Sequence, residues 1–302
     1  MSFGGQSMAT TWSVRLVADS RLEIDRLRRD CQAALDRIVA QMSQWEPGSH
    51  LSRFNRADAG EWLALPPEFA AVMAEALELA RMTGGAFDPT VGAASEAWGF
   101  GASQVRRAPT GDALKMLATG QGWARLDFEP GPARLRQPGG IALDLCAIAK
   151  GYGVDRLAEV ITAAGVSSYI VEVGGELRAQ GLKPDFQPWW VDLEVTDSSE
   201  HAPLRIALSG FSVATSGHAR RFHDVDGMRL GHTIDPASGA PLRNGTQSVT
   251  VLAETAMRAD ALATALMVMG DAAADFACHY GIAARIVADS EILTPVLAAM
   301  LD

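Results

Sequence analysis

The sequence predicts an α+β protein, a mixed and mostly antiparallel sheet flanked by helices, and three observations carry that reading. Candidate strands in the second half follow one another across short turns, where a doubly wound fold would place a helix between them. Apolar residues recur at helical spacing in three long stretches. With 302 residues, 48% hydrophobic and 21% charged, the chain can bury a sizeable core. It holds no linker or low-complexity tract, so a single domain over residues 1–302 is expected.

Residues 10–18 alternate apolar and polar, which puts Trp12, Val14 and Leu16 on one face of a strand. Ser20 is a candidate N-cap, with Glu23 three residues on, for a helix that carries Leu22, Leu27, Cys31, Leu35, Ile38 and Met42. Pro47-Gly48 breaks that helix. A second starts at Pro66-Pro67-Glu68 and ends at Gly84-Gly85, where paired glycines supply a C-cap. Short strands follow at 124–128, 133–136 and 141–143, then a helix from about 147 to 164. Strands at 169–173, 176–180, 190–195, 204–209, 213–215 and 248–252 come next. Helices at 255–269 and 272–279 and a strand at 284–288 close the chain.

Charge excludes one large class of partner. Lys and Arg number 26 against 36 Asp and Glu, a net charge of −10, with no basic block, so nucleic acid is not expected. An anion could still be held locally, by a metal, a helix N-terminus or a focused cation. The best apolar run, residues 261–270 between Asp260 and Asp271, is far short of the roughly 18 residues a membrane span needs. Residues 1–11 lack the positive and apolar regions of a signal peptide, and the expectation is a cytoplasmic protein. Cys31, Cys146 and Cys278 are too few and too scattered for a disulfide framework, and are expected to be reduced thiols.

No dinucleotide fingerprint, phosphate loop, zinc-protease motif or nucleophile elbow is present. Four segments are dense in glycine and polar residues. In Gly84-Gly85-Ala86-Phe87-Asp88-Pro89-Thr90, Asp88 either caps the helix that Pro89 opens or faces a ligand. In Asp144-Leu145-Cys146-Ala147-Ile148-Ala149-Lys150-Gly151, a carboxylate ends a strand, small residues let a ligand approach a helix N-terminus, and Lys150 adds a cation; this suits a diphosphate as well as it suits a cap and a solvated lysine. His232, in Gly231-His232-Thr233-Ile234-Asp235-Pro236, is either structural or a general base. Asp260 and Thr264 stand four apart, so a carboxylate and a hydroxyl share one face of an apolar helix. Burying them requires a partner or an ion; hard oxygen donors suit Mg²⁺, and a capping Asp with a back-bonded Thr suits the same pattern. The segments at Phe87-Asp88-Pro89 and Ile234-Asp235-Pro236 echo one another, which fits either two related halves or two Asp-Pro turns.

Together with Met8-Ala9-Thr10-Thr11-Trp12, Met42-Ser43-Gln44-Trp45, Leu51-Ser52-Arg53-Phe54-Asn55, Val173-Gly174-Gly175-Glu176 and Thr215-Ser216-Gly217, these segments resemble the FAD:protein FMN transferase family, the ApbE-like flavin transferases. The resemblance covers nearly the whole chain in order. It implies an ApbE-like fold and Mg²⁺-dependent transfer of the FMN moiety of FAD to a threonine hydroxyl of an acceptor flavoprotein, with release of AMP. It places Met8, Trp45, Ala86, Phe87, Asp88, Asp144, Lys150 and Ile234 on flavin-binding positions. Asp260 and Thr264 fall on metal positions, and Ala147 on one that gives its backbone carbonyl. His232 is the chosen base for the incoming threonine, and Asp260 is counted with it as catalytic.

Departures from the family pattern accompany the match. Three positions after the metal Asp, where members commonly carry a second acid or a small residue, stands Ala263, and the expectation is a single, comparatively weak metal site. His218-Ala219-Arg220 stands where many members have a tyrosine, and Cys146 where serine is common. No lipid-attachment cysteine precedes Met8, unlike in exported relatives. The alternative readings are an Mg²⁺-dependent FAD diphosphatase giving FMN and AMP, and an FAD-binding protein without turnover.

Overall fold

A computed structural model describes residues 1–19, 21–102, 108–118, 121–193, 204–218, 222–225 and 228–301, with the side chains of 223–225, 228 and 229 left aside. Its centre is an eight-stranded sheet in the order Ser2–Ser7, Thr10–Val17, Ser168–Val173, Glu176–Gln180, Ser212–Gly217, Ser248–Ala253, Ala283–Val287 and Glu291–Leu293. Every neighbouring pair in this sheet is antiparallel. The class is therefore α+β, as the short turns between strands predict.

Both faces of the sheet are covered, so its central strands are apolar on both sides. In Ser168–Val173, Tyr169, Val171 and Val173 join the main core while Ile170 joins a second one. The main core lies under the helices Ile24–Met42, Pro67–Met82, Cys146–Ala163 and Ala256–Met269. The second is closed by the hairpin of Trp189–Leu193 with Leu204–Leu208 and by the helix Pro295–Leu301, whose Leu297 is buried. By length and composition the stretch Ala256–His279 could cross a membrane. Here Ala259, Ala261, Leu262, Ala263, Ala265 and Leu266 of that stretch lie buried in the core.

The Cys146–Ala163 and Ala256–Met269 helices pack side by side, and two features set their spacing. A Cβ on Gly151 would lie 2.2 Å from the carbonyl oxygen of Ala256, so only glycine permits the approach. Buried Asp155 accepts hydrogen bonds from the amides of Ala256 (3.0 Å) and Met257 (2.9 Å), while Arg178 reaches it from the sheet at 2.6 Å. One carboxylate thus caps the second helix's free amides and ties it to the first helix and to the sheet. Thr255, the N-cap residue, adds a bond to its side chain from the Arg258 amide at 3.3 Å.

Several elements differ from the sequence reading. The first helix begins at Ile24 with Glu23 at the cap and no side-chain cap bond; the expected cap Ser20 lies outside the described residues. Residues 141–143 form no strand, only a single parallel bridge between Ala142 and Val91. Of the expected strand at 190–195, Trp189–Leu193 is observed, and 194–195 lie outside the described residues. The strand Ser2–Ser7 and the helix His50–Arg56 are additions. Cys31 is buried, with its thiol pushed up to about 12 by that burial, Cys146 is half-buried, and Cys278 sits at the surface; none of the three is in a disulfide.

Candidate functional site

A cavity of about 990 Å³ opens where the helix pair meets the sheet's Gly174-Gly175 and Ser216-Gly217 ends. Of the twelve residues singled out by the sequence, Trp45, Ala86, Phe87, Asp88, Asp144, Ala147, Lys150, His232, Ile234, Asp260 and Thr264 line it. Met8 does not: its side chain packs over Gly153, and the adjoining Ala9 and Thr10 line the cavity instead. Met8 and Ala9 form the turn between the first two strands with φ of 51° and 56°, a left-handed conformation unusual for residues with side chains.

At the floor lies Asp260, 4% exposed, whose Oδ2 accepts the Gly151 amide at 3.0 Å. Burial raises its carboxyl above the ordinary value, while Lys150 and the Gly151 amide oppose that rise. One turn on, the Thr264 hydroxyl meets the Ser216 hydroxyl at 3.0 Å. Glu176 enters from the strand after the Gly174-Gly175 turn, is 3% exposed, and pairs through Oε1 with the Lys150 ammonium. Its Oε2 is buried and has no hydrogen-bond partner among the described residues. Burial raises the Glu176 carboxyl, Lys150 lowers it, and the nearby Asp260 charge raises it.

The first turn of the Cys146–Ala163 helix faces the same cavity, with Cys146, Ala147 and Lys150 on the lining. Asp144 does not cap the helix by its own position; its Oδ1 accepts the Cys146 amide at 2.8 Å and fixes the entering chain. An 18-residue helix whose positive end and a lysine meet the cavity forms a ready anion site.

The opposite wall is aromatic and apolar. Trp45 is 47% exposed, and its indole N–H donates to the Gly101 carbonyl at 3.3 Å, which leaves ring surface toward the cavity. Phe87 is buried, with its amide donating to the Thr83 hydroxyl at 3.1 Å. Ile234 packs with Ala94, Trp98 and Leu230. Asp88 is not the N-cap of the helix that follows Pro89, which starts at Gly92 with Val91 at its cap; its Oδ1 takes the amide (2.8 Å) and hydroxyl (2.6 Å) of Thr90. Burial raises its carboxyl against those bonds and others from Trp123 and Gly122. Asp235 accepts the Ala237 amide at 2.9 Å in the same manner, but in a hairpin between Ile234–Asp235 and Ala240–Pro241. The echo between the two segments is thus visible as two Asp turns that bound one cavity.

Among the described residues no group of three or more His, Cys, Asp or Glu side chains is placed to hold a metal. The floor nevertheless fits a hard divalent cation. It offers the buried Asp260 carboxylate, the Thr264 hydroxyl and an unpartnered Glu176 oxygen, all oxygen donors. Glu176 and Ser216 lie in the Val173-Gly174-Gly175-Glu176 and Thr215-Ser216-Gly217 segments, but the sequence reading gives neither a role. A buried acid directly after a Gly-Gly turn was the available signal for the first; nothing in the sequence marked the second.

The ApbE family matches residues 8–286. The FAD:protein FMN transferase of Vibrio cholerae is 37% identical over 277 residues, covering 88% of this chain and 80% of that protein. The Haemophilus influenzae protein of the same name is 35% identical over 283 residues, with 90% and 81% covered. The apo structure of the Pseudomonas stutzeri flavinyl transferase ApbE aligns at a TM-score of 0.91 and 32% identity, over 100% of this chain and 96% of that one. Fold, site and kinship together define an enzyme of the transferase class. The chain belongs to the ApbE family.

Proposed function

We propose that this chain transfers the FMN moiety of FAD to a threonine hydroxyl of an acceptor flavoprotein, with Mg²⁺ as its metal and AMP as the second product. The observation that carries the reading is one cavity in which an exposed indole face, a helix N-terminus with Lys150, and the buried Asp260 beside Thr264 converge. Relatives named FAD:protein FMN transferase supply the reaction.

In this reading Trp45, Phe87, Ala86 and Ile234 contact the flavin end, with Met8 acting through its turn, and Asp88 and Asp144 hold the loops that enclose it. Asp260, Thr264 and the Ala147 carbonyl would hold Mg²⁺. Bound there, the ion would neutralise the diphosphate oxygens as charge develops. Lys150 and the helix amides stabilise the same charge. His232, half-buried on the lining, accepts the proton of the threonine hydroxyl. The threonine oxygen bonds to the FMN-side phosphorus, the bond from that phosphorus to the bridging oxygen breaks, and AMP departs with that oxygen. FMN remains joined through a phosphoester.

The test mixes the chain with FAD, Mg²⁺ and a threonine-bearing acceptor and weighs the acceptor by mass spectrometry. An added FMN moiety, lost when the acceptor threonine is replaced by valine and when Asp260→Ala is used, supports the reading. Free FMN and AMP without an adduct would make the chain a diphosphatase, and no AMP with any divalent metal would make it a flavin-binding protein.

A further inference from the structure

We propose that Glu176 belongs to the cation site, holding Lys150 with one oxygen and turning the other toward the ion that Asp260 and Thr264 would share. This rests on the Mg²⁺ reading above and adds a residue to it.

Glu176 opens its strand directly after the Gly174-Gly175 turn, whose glycines sit at φ of 63° and 110°, and it lines the same cavity as Asp260 and Thr264. It is 3% exposed, its Oε1 accepts from Lys150, and its Oε2 is buried with no partner among the described residues. A buried carboxylate oxygen left unpaired costs free energy that a cation ligand would recover. Glu176 and Asp260 are two buried acids beside Lys150, and among the described residues the ammonium of Lys150 pairs with Glu176. A divalent ion supplies the missing positive charge. The helix itself has no second acid to offer, since Ala263 is fully buried among apolar side chains. The sheet supplies it instead, so the second carboxylate of the site comes from a different element. All the donors are hard oxygens, the set that Mg²⁺ and its probe Mn²⁺ accept.

Mn²⁺ binding to the purified chain without FAD, followed by the paramagnetic resonance of free Mn²⁺, tests this at 0.1 and 0.5 M KCl. Glu176→Gln should weaken Mn²⁺ at least about tenfold at both salt concentrations, because a ligand's loss is not screened as a distant charge is. Unchanged Mn²⁺ affinity, or a loss that disappears at 0.5 M KCl, overturns the proposal. If Glu176→Gln does not fold, Glu176→Asp carries the same test, with a weakening of about threefold or more expected and unchanged affinity contradicting it. Asp260→Asn separates this idea from its foundation: full Mn²⁺ binding in that variant would overturn the metal reading itself, whereas its loss beside intact binding in Glu176→Gln would remove only Glu176.

Discussion

Replacing Gly151 by alanine sets two physical effects against each other, with opposite signs. Gly151 lies inside the Cys146–Ala163 helix, and helix propensity alone makes alanine more stable there by about 1 kcal/mol. Packing says the reverse. The new Cβ would lie 2.2 Å from the Ala256 carbonyl oxygen and 2.8 Å from the Met257 Cα, backbone atoms that cannot rotate away. The two helices must separate by roughly an ångström, at about 1–3 kcal/mol for overpacking. The same shift stretches the 3.0 Å bond from the Gly151 amide to buried Asp260, and leaving such a buried acceptor unsatisfied costs about 1–3 kcal/mol. The net expectation is a loss of about 3 kcal/mol in urea unfolding followed by circular dichroism, with weaker Mn²⁺ binding because Asp260 moves. A variant as stable as the native chain, or more so, would refute the account of how this helix pair is spaced.

Other consequences follow from the same geometry. Asp155→Ala removes two amide bonds and leaves Arg178 unpaired, so a loss of about 3 kcal/mol or more is expected in the same unfolding assay; less than 1 kcal/mol would contradict the pinning role. Trp45→Ala should weaken FAD binding about tenfold, read by fluorescence titration, with little change in unfolding temperature because the ring is half exposed; unchanged affinity would remove Trp45 from the flavin wall. Burial keeps the Asp260 carboxyl above its ordinary 3.8, so the folded chain retains a proton that the unfolded chain has lost. That contribution to the stability of the metal-free chain is complete below pH 4 and is lost as pH rises through the folded value. Mg²⁺ needs the ionised form, so the rise it gives in unfolding temperature should grow as pH increases, and a rise that is the same from acid to alkaline pH would count against Asp260 as its ligand.

Much of this architecture is legible because it rests on periodicity. Trp12, Val14 and Leu16 alternate as the strand requires, and all three are buried. Asp260 and Thr264 share a helix face at a spacing that sequence alone gives. The Ser2–Ser7 strand was hidden because its glycines weaken any strand signal. A Cβ on Gly4 would lie 2.4 Å from the Trp12 carbonyl oxygen, so the residue that obscured the strand is the one its pairing needs. The His50–Arg56 helix did have a local signal, since the Ser49 hydroxyl accepts the Ser52 amide at 2.9 Å as an N-cap does. Glu176 and Asp155 were illegible for another reason. Their roles depend on which element packs against them, over separations of 26 residues to Lys150 and 101 to Ala256, and no local pattern encodes that.

The most direct measurement of the central claim counts AMP released and FMN attached to the acceptor in one reaction of the chain with FAD, Mg²⁺ and a threonine-bearing flavoprotein. Flavin transfer predicts one AMP for each FMN joined to threonine, with no free FMN accumulating. AMP formed together with an equal amount of free FMN, the acceptor's mass unchanged, would contradict it.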